Sequence, residues 1–494
     1  MKYDVVIVPD CETLRSSTLD RLEKFQAEGG KLIFMGSAPK LQNAEPSERG
    51  SELCGRSTLI PFTRADILSE LEPYRTLSIR LADGYLPDGL VHQIRDDGDS
   101  LWLFVANSFD PYNKFVTRSK DIKITLEGEF SPALYDTMSG EIKPICFEYI
   151  NGKTVISARL YEYDSLLLRL YKGRGECAYT APEERERKPI PIPAEVGYTL
   201  DEPNVLLLDT ARFALDGGDF SEYEEELLRA DNICREQLSW PKRGSAVVQP
   251  WVIDEPKTEH TISLKFKIDS TLDISGAMLA LEDAEKADIH LNGEKVKSEI
   301  TGWYVDKSIK TVALPDIRKG ENILDITLPF GRRTNVEWCY LLGNFGVEVR
   351  GKVKKLIPLA EKLAFGNIIN QGLPFYGGNI TYHLDINSDG GDLLINIPHY
   401  EGTLTEVFLD GESRGEVIFP PYCLRISEVA AGTHRLDIKL YTHRRNAFGT
   451  VHLADCNYHW IGPNSWRTQG CEWCYEYVLV PTGIQSSPLV YNEK

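Results

Sequence analysis

Cys471 and Cys474 stand at the C-x-x-C spacing of a zinc-binding pair, and Cys456 and His459, with His452 close by, would complete a tetrahedral set. Glu472 and Trp473 fill the knuckle where small turn residues are expected. Thiols in a core and histidines in a loop is therefore the plainer reading, and no metal is assigned. A cysteine nucleophile on a strand-to-helix elbow needs small residues on either side. Cys11, in Pro-Asp-Cys-Glu-Thr just past the first strand, lacks them. Acid–base hydrolysis between two carboxyl groups needs them opposed, one protonated and one ionised. With 74 acidic residues, neighbours such as Asp254-Glu255 and Glu282-Asp283 arise by chance, and adjacent residues on a strand point to opposite faces. No complete catalytic site is legible. The aromatic clusters are better candidates. Trp460, Trp466 and Trp473 gather with Tyr458, His459 and Arg467. Such rings can take the C–H face of a sugar while polar neighbours hold its hydroxyls, or they can seal a seam between domains. Trp303 and Tyr304 carry the same two readings. So does Tyr376, beside Gly372, Gly377 and Gly378, which permit close backbone approach.

The elements that must position these residues are mainly strands. Residues 3–36 read as one β-α-β unit. Tyr3–Val8 is an apolar strand. Ser17 caps a helix with Asp20 as a weak capping-box partner, Gly29-Gly30 ends it, and Lys31–Gly36 returns as a parallel strand. Residues 56–75 either complete that sheet or leave it to dock elsewhere. From Leu77 to Tyr171 the period changes to two, with turn signals at Asp97-Gly98 and Asn151-Gly152, which describes a small antiparallel sandwich. Residues 173–194, rich in proline and charge, read as a linker. The remainder is β-rich, with one helical insertion at Tyr223–Gln237, and it contains an internal repeat. ADIHLNGEKV (287–296) with GENILDITL (320–328) parallels TEVFLDGESR (405–414) with GTHRLDIKL (432–440). Each copy is a strand, an Asn-Gly or Asp-Gly turn, a second strand and a later alternating strand, so each needs a second sheet to cover its apolar face.

These repeats resemble the sugar-binding domain of family 2 glycoside hydrolases, a galactose-binding-like jelly roll. Leu291-Asn292-Gly293 and Gly320-Glu321-Asn322 carry the likeness, while the second copy departs from it at Asp410 and His434. Arg445–Gly449, with Asn446, resembles the Asn-x-x-Gly segment after the last strand of such modules. Gln371–Gly378 and Glu337–Val347 resemble junctions in large family 106-type α-L-rhamnosidases. Residues 3–36 resemble part of the amidotransferase-like domain of the same enzymes. The expected fold is mainly β: two jelly-roll β-sandwiches of galactose-binding-like type, preceded by a small β-sandwich and a partial α/β unit. The expected divisions are 1–75, 76–172, the linker 173–194, 195–355 and 356–494. The resemblance implies a catalytic (β/α)8 barrel that this chain does not carry. With Asn446 from that resembling segment, the aromatic and polar residues singled out above give the candidate ligand contacts Trp303, Tyr376, Asn446, Trp460, Trp466 and Arg467. Sandwiches of this type often hold a structural calcium, whose ligands the sequence does not assign.

The bulk numbers agree with such a protein. The formal charge of −19 over 494 residues argues against a phosphate-binding surface, and no basic stripe appears. Ten cysteines are too sparse for a disulfide scaffold. With no signal peptide and no membrane-spanning apolar run, the sequence reads as cytoplasmic. Three functions follow as expectations. The first is the accessory, glycan-binding portion of a glycoside hydrolase acting on rhamnosides or galactosides, docking onto a separate catalytic barrel. The second is a complete hydrolase with its site between the sandwiches. The third is a structural protein without sugar affinity.

Overall fold

In the computed structural model, which describes residues 3–113, 115–181, 185–243, 258–455 and 468–493, the first β-α-β unit is completed by the chain that follows it. Val5–Val8 pairs in parallel with Lys31–Met35, which pairs in parallel with Thr58–Ile60. Leu19, Leu22, Leu32, Phe34 and Leu53 form its core. Gly29 takes a φ of +86° after the helix Ser16–Ala27, and the Gly30 amide reaches back to the Phe25 carbonyl. The start of that helix differs from expectation. Arg15 is its N-cap, and Asp20 pairs with Arg49 instead of capping. Asn43, from across the unit, accepts the Ser16 amide proton at 3.1 Å and supplies the missing acceptor.

Two antiparallel sheets follow, of four strands and five, built from residues 77–172. Alternating residues such as Leu103 and Val105, Ile122 and Ile124, and Leu168 and Leu170 meet in one core. The strand expected at Ile142–Glu148 is broken into Ile142–Lys143 and Phe147–Ile150. Pro144 between them has no amide proton to give a ladder.

The chain divides into two units, residues 1–112 with 118–182, and 113–117 with 183–494. The second unit holds two β assemblies. In one, a five-stranded sheet (Asn204–Leu208, Cys339–Gly343, Met278–Glu282, Asp306–Ala313, Ile300–Tyr304) shares a core with the sheet around His260–Ser270 and Gly320–Phe330. In the other, two long antiparallel strands, Ile380–Asn396 and Cys423–Tyr441, run through an eight-stranded sheet. Even-numbered residues from Ile380 to Ile386 are buried, then Leu393 and Ile395. The parity changes at Gly390 and Gly391, both at positive φ, where the pairing register shifts. That corner lets both halves of one long hairpin face a single core.

The expected linker is partly strand. Arg187–Ile190 lies antiparallel to Leu489–Glu493. It is an edge strand, so the missing N–H of Pro189 is tolerated. Arg187 and Arg425 both hold the buried Glu493 carboxylate, at 3.0 and 2.6 Å. Glu195–Leu200, assigned from sequence to the first repeat, pairs instead with Ile380–Asn396 of the second. The helix of the insertion begins four residues later than expected, at Leu227, because Glu226 caps it by accepting the Arg229 amide proton at 3.0 Å.

The repeated hairpins fold alike. Asn292 and Asp410 sit at φ +54° and +53°, followed by Gly293 and Gly411 at +81° and +85°. In the first copy Asn292 Nδ2 donates to Asn322 Oδ1 at 2.9 Å, and its Oδ1 accepts the Ile323 amide. In the second copy His434 Nδ1 lies 2.7 Å from Asp410 Oδ2, and Asp410 Oδ1 accepts the Arg435 amide. The two departures from the repeat are thus one compensated exchange, an amide pair for an acid–imidazole pair. The Asp410 carboxylate raises the His434 pKa above the ordinary histidine value.

Candidate functional site

Trp303 lies on Ile300–Tyr304, an edge strand of the five-stranded sheet, and its side chain is more than half exposed. The strand bulges on either side of it, between Ile300 and Gly302 and between Trp303 and Tyr304. Odd and even residues are thereby reset, so Trp303 turns outward while Tyr304 is buried. Gly302 faces Thr311 so closely that a Cβ would stand 3.3 Å from its hydroxyl, and Thr301 and Thr311 share a 3.0 Å hydrogen bond. Beside this strand opens a groove of about 500 Å³, lined also by Met278, Leu342, Glu202 and Arg444.

Glu202 and Arg444, 242 residues apart, form the groove's polar wall as a bidentate pair. Both remain about a third exposed. The guanidinium pKa is raised by that carboxylate. The buried Tyr304 hydroxyl lies in the field of both. Tyr304 stacks on Phe448 at 5.9 Å, and Phe448 packs on Tyr340 at 4.9 Å, so aromatic packing fixes the groove's floor to the segment carrying Arg444.

Tyr376 and Asn446 are not on this surface. Tyr376 is 2% exposed, and its hydroxyl donates to the Asn379 carbonyl at 2.8 Å and accepts the Glu202 amide proton at 3.3 Å. It supports Glu202 from beneath rather than facing a ligand. Asn446 is buried and spends both ends of its amide on the Val480 backbone, at 2.9 Å each. Trp460, Trp466 and Arg467, with Cys456 and His459, lie outside the described residues. Of the expected contacts among the described residues, Trp303 alone is brought to a groove. Glu202 and Arg444 were missed, for nothing local marks two residues so far apart.

The glycines near Tyr376 are there for packing. A Cβ on Gly377 would meet the Arg444 Cγ at 3.0 Å, and one on Gly378 would meet the Tyr376 hydroxyl at 2.5 Å and the Glu202 Cβ at 3.1 Å. Gly378→Ala should therefore destabilise the protein by about 1–3 kcal/mol, the usual cost of overpacking. Urea denaturation followed by tryptophan fluorescence would measure it. A loss of a few tenths would mean the Tyr376 ring yields freely.

A second cluster is fully interior. Asp209 is completely buried. Lys354 Nζ and the Tyr477 hydroxyl donate to its Oδ1 at 2.8 and 2.6 Å, and His452 Nε2 lies 2.8 Å from Oδ2. Burial alone would raise the Asp209 pKa, but Lys354 and His452 together hold it far below the carboxylate range. Glu226 is also buried, and desolvation pushes its pKa up to about 7 against the opposing hydrogen bond from Trp338 Nε1. One carboxyl held ionised near one that keeps its proton up to about neutral pH is the pattern of an acid–base pair. The space denies it that role. The cavity between Glu226, Trp338, Thr450, His452 and Trp473 is about 10 Å³, at most one water's worth and far short of a sugar ring.

His452 is committed to Asp209 and, through Nδ1, to the Glu476 carbonyl at 3.1 Å, so it is not a free metal ligand. Among the described residues no group of three or more His, Cys, Asp or Glu side chains is placed to hold a metal. Cys11 is a free thiol whose pKa is raised by burial and by Asp10, the opposite of an activated nucleophile. Of the nine described cysteines, all free, Cys177, Cys423 and Cys471 are exposed, so buried thiols are not the whole account. Glu282 and Asp283 diverge at a left-handed turn, Asp283 pairing with Lys286. Among the described residues no helix is long and apolar enough to cross a membrane.

No protein-family profile matches this sequence, and no curated protein does. The fold aligns with solved glycoside hydrolases at low identity. A rhamnosidase from Novosphingobium sp. PP1Y is 13% identical over 97% of this chain and 33% of its own, with a TM-score of 0.41. An α-L-fucosidase isoenzyme from Paenibacillus thiaminolyticus is 10% identical over 35% of this chain and 41% of its own, with a TM-score of 0.24. A GH2 β-galacturonidase from Eisenbergiella tayi is 12% identical over 48% of this chain and 37% of its own, with a TM-score of 0.19. The chain thus spans a third of the rhamnosidase's length. Likenesses this remote bear on neither its activity nor its ligand.

Proposed function

We propose that this chain is the glycan-binding, non-catalytic portion of a glycoside hydrolase, and that Trp303 is its sugar platform. The observation that carries the reading is the groove itself. An outward-facing indole on an edge strand stands beside a half-buried Arg444–Glu202 pair and two threonines. A sugar ring offers apolar C–H faces to the one and hydroxyls to the others. The resemblance of the hairpin repeats to galactose-binding-like jelly rolls agrees with this use. It also makes rhamnosides and galactosides the first ligands to try. On this reading the bond-breaking carboxyls would come from a separate catalytic barrel; the cavity at Glu226 has no room for a substrate, and Asp209 is fully buried.

Isothermal titration with rhamnose- and galactose-terminated oligosaccharides tests the reading. Trp303→Ala should weaken binding by about 2 kcal/mol, roughly thirtyfold, as loss of a central aromatic anchor does. The purified protein should release no nitrophenol from aryl rhamnosides or aryl galactosides. Unchanged affinity in the Trp303 variant, or turnover by the chain alone, would overturn the proposal.

A further inference from the structure

The sheet around His260–Ser270 has a break in one edge. On that side Thr210–Leu215 pairs with Ile262–Lys265, and Val353–Ile357 pairs with Asp269 and Ser270. Between them Phe266, Lys267 and Ile268, paired on their other side with Asn322–Leu324, have no strand neighbour on this one among the described residues, because Thr210 has turned away to pair with Glu226. A groove of about 640 Å³ occupies this break, well within the range of small-molecule sites.

The walls of this groove suit one kind of ligand. Tyr223 and Tyr475 line it with 68% and 41% of their surfaces exposed. Tyr223 is left in a loop by the late start of the helix Leu227–Gln237. Lys352 reaches over the Tyr475 ring at 5.9 Å and has no carboxylate partner among the described residues. Arg212 spends its Nε on the Ser221 carbonyl, at 2.7 Å, and forms no ion pair among them either. Glu222 and Glu224, also lining the groove, form none. Four basic and three acidic side chains line it in all, and the buried Asp209 neutralises the Lys354 among them. Near-balanced charge favours neither an anion nor a cation. Unengaged donors and acceptors, an unpaired strand edge and exposed ring faces together match an uncharged molecule dense in hydroxyls with apolar C–H faces.

We propose that this groove is a second saccharide-binding site, distinct from the one at Trp303, which takes a neutral oligosaccharide. It rests on the same glycan-binding reading, but on none of the same residues. The test uses the full chain and neutral galactan and rhamnose-terminated oligosaccharides, with stoichiometry from isothermal titration. The native protein should bind two equivalents. Trp303→Ala should retain one. Adding Tyr223→Ala to it should weaken the remaining site at least tenfold, and Arg212→Ala in the same background should do likewise, independently of any effect at Tyr223. Both side chains are exposed enough that thermal melting should be unchanged. Abolition of all binding by Trp303→Ala would overturn the second site while leaving the first. Loss of all binding on Tyr223→Ala, with Trp303→Ala silent, would support the groove and overturn the Trp303 reading. Binding in the Trp303→Ala background that is indifferent to both further substitutions, or no binding of any probe by the native chain, would overturn the proposal.

Discussion

Asp209→Ala should cost the 183–494 unit about 3–5 kcal/mol, the usual penalty for leaving a buried charge without its partner. Lys354, His452 and the Tyr477 hydroxyl all converge on that carboxylate. Its removal strands an ammonium whose side chain is only 12% exposed, and an imidazole at 4%. Asp209→Asn should cost clearly less. The amide oxygen can still accept from Lys354 and Tyr477, and the amide nitrogen can donate to His452 Nε2 if the ring keeps its proton on Nδ1, facing Glu476. What remains lost is the countercharge to Lys354. Seven of the eight tryptophans belong to this unit, so fluorescence-detected urea unfolding reports on it. The depressed pKa adds a direction in pH. A carboxyl ionised more readily in the fold than in the open chain contributes stability above its unfolded value, 3.8, and loses it as pH falls below that. Asp209→Ala should therefore narrow its gap to the native protein in acid. A loss under 1 kcal/mol at neutral pH would mean the cluster is solvated in a way its burial contradicts.

The parts of this molecule that sequence reveals are those fixed by neighbours. The period-two runs of residues 77–172, the Asn292-Gly293 and Asp410-Gly411 turns and the glycine stop at Gly29 all depend on residues within a turn or a strand of one another, and they appear where the pattern puts them, save the run that Pro144 breaks. What stayed hidden depends on partners distant in the chain. Asp209 meets His452 across 243 residues, and Glu202 meets Arg444 across 242. Arg187–Ile190 has linker composition and becomes a strand only because Leu489–Glu493 offers it an edge. Ser17 and Asp20 have capping chemistry, but Asn43 reaches the helix start first. The same holds for function. Trp303 could be nominated as an aromatic beside a hairpin. Tyr376 and Asn446, equally plausible by type, have their polar atoms consumed by backbone groups that only the folded chain brings to them.

Glu226 gives the same unit a dependence on pH of the opposite sign to that of Asp209. Its folded pKa, about 7, lies above the ordinary 4.5, chiefly because burial penalises its charge. Between those values the native chain holds a proton that the unfolded chain has released. The stabilisation is complete below about 4.5 and is lost as pH rises through 7. At about 1.4 kcal/mol per unit, the span amounts to about 3 kcal/mol. Glu226→Gln is neutral throughout and should flatten this slope. The variant keeps the acceptor for the Arg229 amide, so the helix cap survives. It turns an amide group toward Trp338 Nε1, where the carboxyl oxygen had accepted at 2.8 Å, and so gives up about 1 kcal/mol of hydrogen bonding. The two stability curves should cross. The native protein is expected to be the more stable near pH 5, where Glu226 is protonated and still accepts from Trp338. The glutamine variant is expected to lead above pH 7, where the native fold must carry a desolvated carboxylate beside Asp209. Urea midpoints collected across that interval decide the matter. Parallel curves would show that Glu226 titrates as an ordinary solvated acid. The crossing would show a buried acid retained at a standing cost in stability, in a cavity too small for any ligand but water.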